Sequence, residues 1–391
     1  MVRQKHLSHS AMITFITFMN MFIPLSTDMY LPALPEMGKY FSTNEFLVGL
    51  TLTVFFFVFA VSIVLFGPLS DKYGRKPVLI FGSVIYTVAS LSCAFSPDIY
   101  FLIVGRFFQA LGSGAVITVS TALIKDSFRG KILTKILAIT QALGVIAPMA
   151  APLVGGFLLR FTSWHGAFYA LAFLGAINLF LACLLTETLP KEKRYEGKIL
   201  QSLSLLVELG KKTHFMLILI MFAILSAPYM AYLSASSFVY VEYFSLTAQE
   251  YSYFFAVNSA ASIAGPMIYL RLKTSVSDQT LMKLTFLTAF TSGLLVLVPG
   301  HLNEFAFLFS FLPFTVIGAV VRPFAMEVLL NKVKENAGTA SSMINFVPTL
   351  FGSFGMMLGT LPWGDFILGL GLIMLVATAL SFSIFKFVGK I

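Results

Sequence analysis

One carboxylate in this chain stands where an ionisable group is expensive. Asp28 belongs to Ser26-Thr27-Asp28-Met29-Tyr30-Leu31-Pro32-Ala33-Leu34-Pro35, the end of an apolar run that begins near Ala11. Counting back from Pro35 at helical rise puts it about 10 Å inside the end of a helix. A carboxylate at that depth is a functional candidate, able to exchange a proton and to share its site with a ligand. Pro24, Pro32 and Pro35 leave a second reading, in which the helix ends early and Asp28 caps it or lines a wet loop. The charge partner on offer is Arg106, in Gly105-Arg106-Phe107-Phe108-Gln109-Ala110-Leu111-Gly112-Ser113-Gly114. It sits at a depth close to that of Asp28, and opposite charges at one depth in one bundle are expected to pair. Other chemistry lacks its residues. The five histidines show no ligand spacing, and Cys93 and Cys183 lie in apolar segments as packing residues. No nucleophile–base constellation or phosphate-binding loop is present, so no enzyme, cofactor or metal is expected.

The elements that must carry Asp28 and Arg106 follow from composition. The chain has 391 residues, 58% hydrophobic and 11% charged, with a mean hydropathy of +0.89. So few charges exclude a soluble globular domain of this size. Apolar stretches long enough to cross a bilayer run over 11–35, 46–69, 78–96, 99–124, 132–159 and 166–186. Six more run over 213–240, 251–271, 280–299, 303–328, 337–360 and 366–387. The expectation is an all-α membrane protein of twelve spans: a six-helix bundle over 1–190, a cytoplasmic linker over 191–212 and a second bundle over 213–391. With the N-terminus cytoplasmic, inner loops, tails and the inner ends of the adjoining spans hold 22 of the 26 Lys and Arg residues. Lys39 and Arg160 lie outside, and Arg106 and Arg322 within spans. That bias puts both termini in the cytoplasm, and the basic N-terminus reads as part of a retained first span. The net charge of +9 is then topogenic, with no call for nucleic acid. Within the linker, Ile199 to Leu209 suits an amphipathic helix on the membrane or a plain connector. Two six-span halves suggest a transporter with its substrate site near the midplane, between the halves.

Two further stretches carry specific residues. Between spans two and three stands Gly67-Pro68-Leu69-Ser70-Asp71-Lys72-Tyr73-Gly74-Arg75-Lys76-Pro77. Gly67 permits close helix approach, Gly74 a tight turn, and Asp71 can receive charge from Arg75 or a helix N-terminus. A positive-inside turn explains Lys72, Arg75 and Lys76 but not the glycines and Asp71. Span five carries Gly144-Val145-Ile146-Ala147-Pro148-Met149-Ala150-Ala151-Pro152-Leu153-Val154-Gly155-Gly156, whose small residues and prolines allow close packing and a kink.

The loop resembles the GxLxDxxGRK signature of the major facilitator superfamily, and Arg106 to Ala110 its RxxQG motif, with Ala110 at the usual glycine. Span five resembles the GxxxPxxxPxxGG element of the antiporter branch. Together with Ser26–Pro35, Ser163-Trp164-His165-Gly166-Ala167-Phe168 and Thr186-Glu187-Thr188, these stretches make the chain similar to the Bcr/CflA family of drug:proton antiporters. The likeness is dense over 20–190 and covers the second half by layout.

That resemblance implies export of small lipophilic compounds from a bacterial cytoplasm across the inner membrane, against inward proton flow. It implies Asp28 as the carboxylate shared by proton and substrate, and Arg106 as its modulator. It also implies a cytoplasmic gate latch at Gly67, Asp71, Gly74, Arg75 and Lys76, with Gly144, Pro148, Pro152, Gly155 and Gly156 as gating elements of span five. Some relatives carry a second acid two turns before the aspartate. Here that position is Asn20, which hydrogen-bonds but cannot titrate, and this argues against divalent cations and a two-proton scheme. Candidate cavity residues are Asn20, Thr27, Tyr30, Gln109, Gly144 and Met149 in the first half, and Tyr229, Met230, Leu233, Asn258 and Asn345 in the second. Arg322 and Glu327 are expected to form a structural or gating pair. Partners are the substrate, protons and membrane lipid, and a monomer is expected. A dedicated carrier of a siderophore, sugar or nucleoside on the same fold, or a non-transporting membrane scaffold, are the alternatives.

Overall fold

The computed structural model describes residues 7–197, 206–333 and 337–389, and all of its regular elements are helical. Among the described residues, eleven helices are long and apolar enough to cross a membrane. The twelfth rod is Gly130–Leu158, with Ile146–Leu158 as its apolar part among the described residues. The fold is thus the expected all-α, multi-span one. Of the stretch Ile199 to Leu209, 199–205 lie outside the described residues, and 206–209 are helical.

Span one, Ser10–Tyr40, is broken rather than continuous. It comprises His9–Asn20, Phe22–Asp28, a 3-10 turn at Leu31–Ala33 and Leu34–Tyr40. The prolines explain each break. Pro24 has no amide for the Asn20 carbonyl, and the first segment ends there. Pro32 leaves the carbonyl of Asp28 without its helical donor, and Pro35 that of Leu31. The amide of Ala33 turns to Tyr30 O at 2.9 Å, and the chain tightens instead of continuing. Asp28 is therefore the last residue of a helical segment in mid-span, and uniform helical rise to Pro35 does not hold.

The next five spans are Glu45–Tyr73, Arg75–Ala94, Ile99–Ser127, Gly130–Leu158 and His165–Leu184. Their starts are set by local chemistry: Asp98 accepts the Phe101 amide at 2.8 Å, and Gly74 takes φ +103°, where a side chain is strained. Spans three and four pack backbone to backbone, because a Cβ on Gly82 would come within 3.0 Å of Gly112 O. Around them Phe15, Ile16, Met19, Phe22, Leu79, Val116, Val119 and Leu123 form a buried apolar cluster.

The remaining spans are Thr213–Tyr243, Ala248–Lys273, Asp278–Leu297, Glu304–Asn331, Ala337–Gly359 and Phe366–Val388. Span seven ends in a π-helical turn at Phe238–Tyr243, and span eight breaks between Ala261 and Ala264. Spans seven and eleven are bolted by serines: Ser226 donates to Pro348 O at 3.0 Å and Ser234 to Met356 O at 2.9 Å. The chain forms two compact units, one of Met1–Ala33 with Val54–Leu203, the other of Leu34–Thr53 with Ser204–Ile391. The C-terminal end of span one and the start of span two thus fall in the second unit, where Leu34–Tyr40 packs on Phe238–Tyr243.

Candidate functional site

Asp28 and Arg106 are both buried, at 4% and 0% exposure, and they do not form an ion pair. This corrects the expected pairing. Arg106 donates through Nη1 to Ser26 O at 2.9 Å and to Gln109 Oε1. Gln109 Nε2 donates to Ser90 Oγ at 2.8 Å, and Ser90 Oγ to Tyr86 O at 2.7 Å. Tyr86 OH returns to Ser26 Oγ at 2.6 Å, closing a ring that ties spans one, three and four together. Aromatic faces then cover the guanidinium, whose Cζ lies 4.2 Å from the Phe55 ring, 4.7 Å from Tyr30 and 6.0 Å from Phe168.

Asp28 stands just outside this ring. Its Oδ1 accepts the hydroxyl of Thr27 at 2.7 Å, and the same hydroxyl is 2.9 Å from Ile23 O. Thr27 therefore serves both protonation states: it donates to the carboxylate, or it accepts from the neutral acid while donating to Ile23 O. The failure to pair follows from helix geometry. Ser26 turns its side chain to Tyr86, and a residue two places on points about 200° away. What binds the two sites is sequence: Ser26 and Tyr30, two residues either side of Asp28, both hold Arg106.

Of the other first-half candidates, Thr27, Tyr30 and Gln109 join this cluster. Asn20 donates to Ile16 O at 2.8 Å and Ser120 Oγ at 2.7 Å, tying span one to span four. Gly144 is exposed, with open space where a Cβ would stand, and Met149 is half-buried. Ser26, Phe55, Tyr86, Ser90 and Phe168 were not legible as candidates. Each is an ordinary residue of an apolar span, and Ser26 contributes its main chain to Arg106.

The loop between spans two and three is a charge cluster. Arg75 donates to Asp71 Oδ1 at 2.5 Å, Ser70 Oγ at 2.7 Å and Asp126 Oδ2 at 2.9 Å. Glu187 accepts the backbone amides of Arg75 at 3.0 Å and Lys76 at 3.1 Å, so it caps the start of span three. The chain after span six then lies along the loop. Tyr195 N donates to Asp71 O at 2.9 Å, and Lys76 Nζ reaches Cys183 O at 2.7 Å. Asp126 and Glu187 join a cluster whose sequence signature contains neither.

This geometry sits in a chain whose sequence matches the profile of the Major Facilitator Superfamily over residues 12–359. The chain belongs to that superfamily. It is 32% identical over 335 residues to an uncharacterized MFS-type transporter, YdgK, of Bacillus subtilis, covering 84% of this chain and 83% of that protein. It is 26% identical to a bicyclomycin resistance protein homolog of Haemophilus influenzae, over 87% of this chain and 86% of that protein. A solved nucleoside transporter, NupG, superposes with a TM-score of 0.75 at 13% identity, covering 97% of this chain and 99% of that one, and shows the fold alone. The relatives and the fold are those of transporters, not enzymes.

In the second unit of this transporter the candidates scatter. Leu233 and Asn258 are buried, and Asn258 Oδ1 accepts Thr315 at 2.8 Å. Tyr229 and Met230 are half-buried beyond Pro228 in span seven, and Met230 lies against Gly352. Asn345 is exposed and donates to Ser341 O of its own helix. The expected Arg322–Glu327 pair is absent: Glu327 is bound by Lys273 and by Tyr269 OH, the latter at 2.6 Å. Five helical residues separate Arg322 and Glu327, about 140° around the axis, so they leave the helix on different faces.

Proposed function

We propose that this transporter exports small lipophilic compounds in exchange for protons, with Asp28 as the carboxylate that proton and substrate share. The observation that carries the reading is a single one: Asp28 is buried in mid-span, at a helix break, bonded to an uncharged hydroxyl and not to a cation. A structural ion pair would hold its charge permanently. A carboxyl without one is left free to change state. A relative named for bicyclomycin resistance supports the substrate class.

In this scheme a lipophilic substrate enters from the cytoplasm and favours loss of the Asp28 proton to that side. On the other side a proton arrives and substrate leaves. One carboxylate suffices, because competition at one site couples the two flows by alternating access. Arg106, held by Ser26 and covered by Tyr30, senses the backbone on both flanks of Asp28 without neutralising it. The loop at Asp71–Arg75 biases which side is open. The protein acts in the bacterial cytoplasmic membrane with both termini inside, as a monomer.

The test is proton release from purified protein in weakly buffered detergent, on adding a panel of neutral and cationic lipophilic compounds. Release by the wild type and its absence in Asp28→Asn is the expected result. Release from a folded Asp28→Asn protein, equal to wild type, would remove Asp28 from the coupling step. Silence from both across the panel would favour a dedicated metabolite carrier.

A further inference from the structure

Span five meets span one at the break beside Asp28. Ala147, Ala151 and Gly155 recur every fourth residue and are all buried, so they line one face of Gly130–Leu158. That helix packs on Phe22–Asp28 and on the 3-10 turn Leu31–Ala33. The closest approach is at Gly155. A Cβ there would fall well inside the contact distance of Met29 O, 2.7 Å from Met29 C and 3.3 Å from Met29 Cα. The obstacle is main chain, so no side-chain rotation relieves it. Gly144, eleven residues earlier in the same motif, has nothing within 4 Å of the equivalent point.

The carbonyl concerned belongs to the residue after Asp28. In a continuing helix it would accept from Ala33, but that amide bonds to Tyr30 O. The Met29 peptide is thus free of the helical ladder on that side, and its position is set by what it rests on. We propose that Gly155 is a positioning residue for Asp28: its missing side chain is the seat of the Met29 carbonyl and fixes how the Asp28 carboxyl is presented. The inference rests on the reading of Asp28 as the coupling carboxylate, and it separates the glycines of the span-five motif by role. A methyl at Gly155 displaces the Met29 peptide, and with it both Thr27–Asp28 and the Tyr30 ring over Arg106. Charged or titratable groups in this network, besides Asp28, are Arg106, Tyr30, Tyr86 and the buried Cys93.

The experiment needs no substrate. The carboxyl C=O band of the protonated acid is titrated by infrared difference spectroscopy on the purified full chain, and Asp28 is identified as the band lost in Asp28→Asn. The expected result is that Gly155→Ala moves the midpoint of that band by about half a pH unit or more, while Gly144→Ala matches wild type. A folded Gly155→Ala protein with the wild-type midpoint, or an equal shift in Gly144→Ala, overturns the proposal. If Gly155→Ala fails to fold, Ala151→Gly loosens the same face one turn earlier without adding an atom. Its midpoint is expected to move, and a wild-type value there is equally fatal. If Asp28→Asn removes no titrating band, the coupling reading itself falls, and the role of Gly155 with it.

Discussion

Arg106 carries a full charge with none of its surface exposed, which costs several kcal/mol unless the surroundings replace water. A main-chain carbonyl, an amide oxygen and three aromatic faces contribute to that replacement. Only a planar cation fits this enclosure, since it donates at its edge while its faces lie against rings. Arg106→Lys keeps the charge and loses the fit. We expect it to lower stability by about 1–3 kcal/mol, read by thermal unfolding in detergent, and to abolish ligand-induced proton release. A lysine variant with wild-type unfolding and wild-type release would mean that charge alone is what the site requires.

At the scale of elements, the turn between spans two and three is held from outside itself. Asp71, with a half-exposed side chain, pairs with Arg75 four residues on, an arrangement worth little in stability. Glu187 is the stronger fastening, because it satisfies two amides at a helix start that would otherwise bond to water. Glu187→Ala is expected to cost about 1–2 kcal/mol and to speed proteolysis after Lys72 or Arg75, whereas Asp71→Asn costs less. Equal protease rates in the two variants would remove Glu187 from this role. The same turn shows what was legible in the sequence. Gly74 and the Asp71–Arg75 pair were readable because turn chemistry and i,i+4 spacing are local. Asp126 and Glu187 lie 51 and 112 residues from Arg75, and only packing brings them in. Likewise the prolines of span one left open a helix ending early at Asp28, which is where the segment closes, but not that helix would resume at Leu31 nor that Asp28 would face away from Arg106.

For the whole molecule, the spans were readable because each must supply its own apolar length, a demand that eleven helices among the described residues meet separately. Orientation is a different quantity, carried by the loops. Lys and Arg cluster at alternate turns, and each turn on the other side is poor in them: Ser42 and Ser245, both with positive φ, lie in two such turns. A helix count alone is compatible with either orientation, so the proposed orientation rests on the charge asymmetry. With Cys93 and Cys183 replaced, single cysteines at Ser42, Ser245 and Gly364 are expected to react with a membrane-impermeant maleimide in intact cells. Cysteines at Lys72, Lys131 and Lys273 are expected to react only after the cells are opened. The reverse pattern would invert the transporter, place the Asp71–Arg75 loop outside and turn the proposed direction of export into uptake. A mixed pattern would instead break the alternation of loops, and with it the assignment of twelve spans on which the position of Asp28 depends.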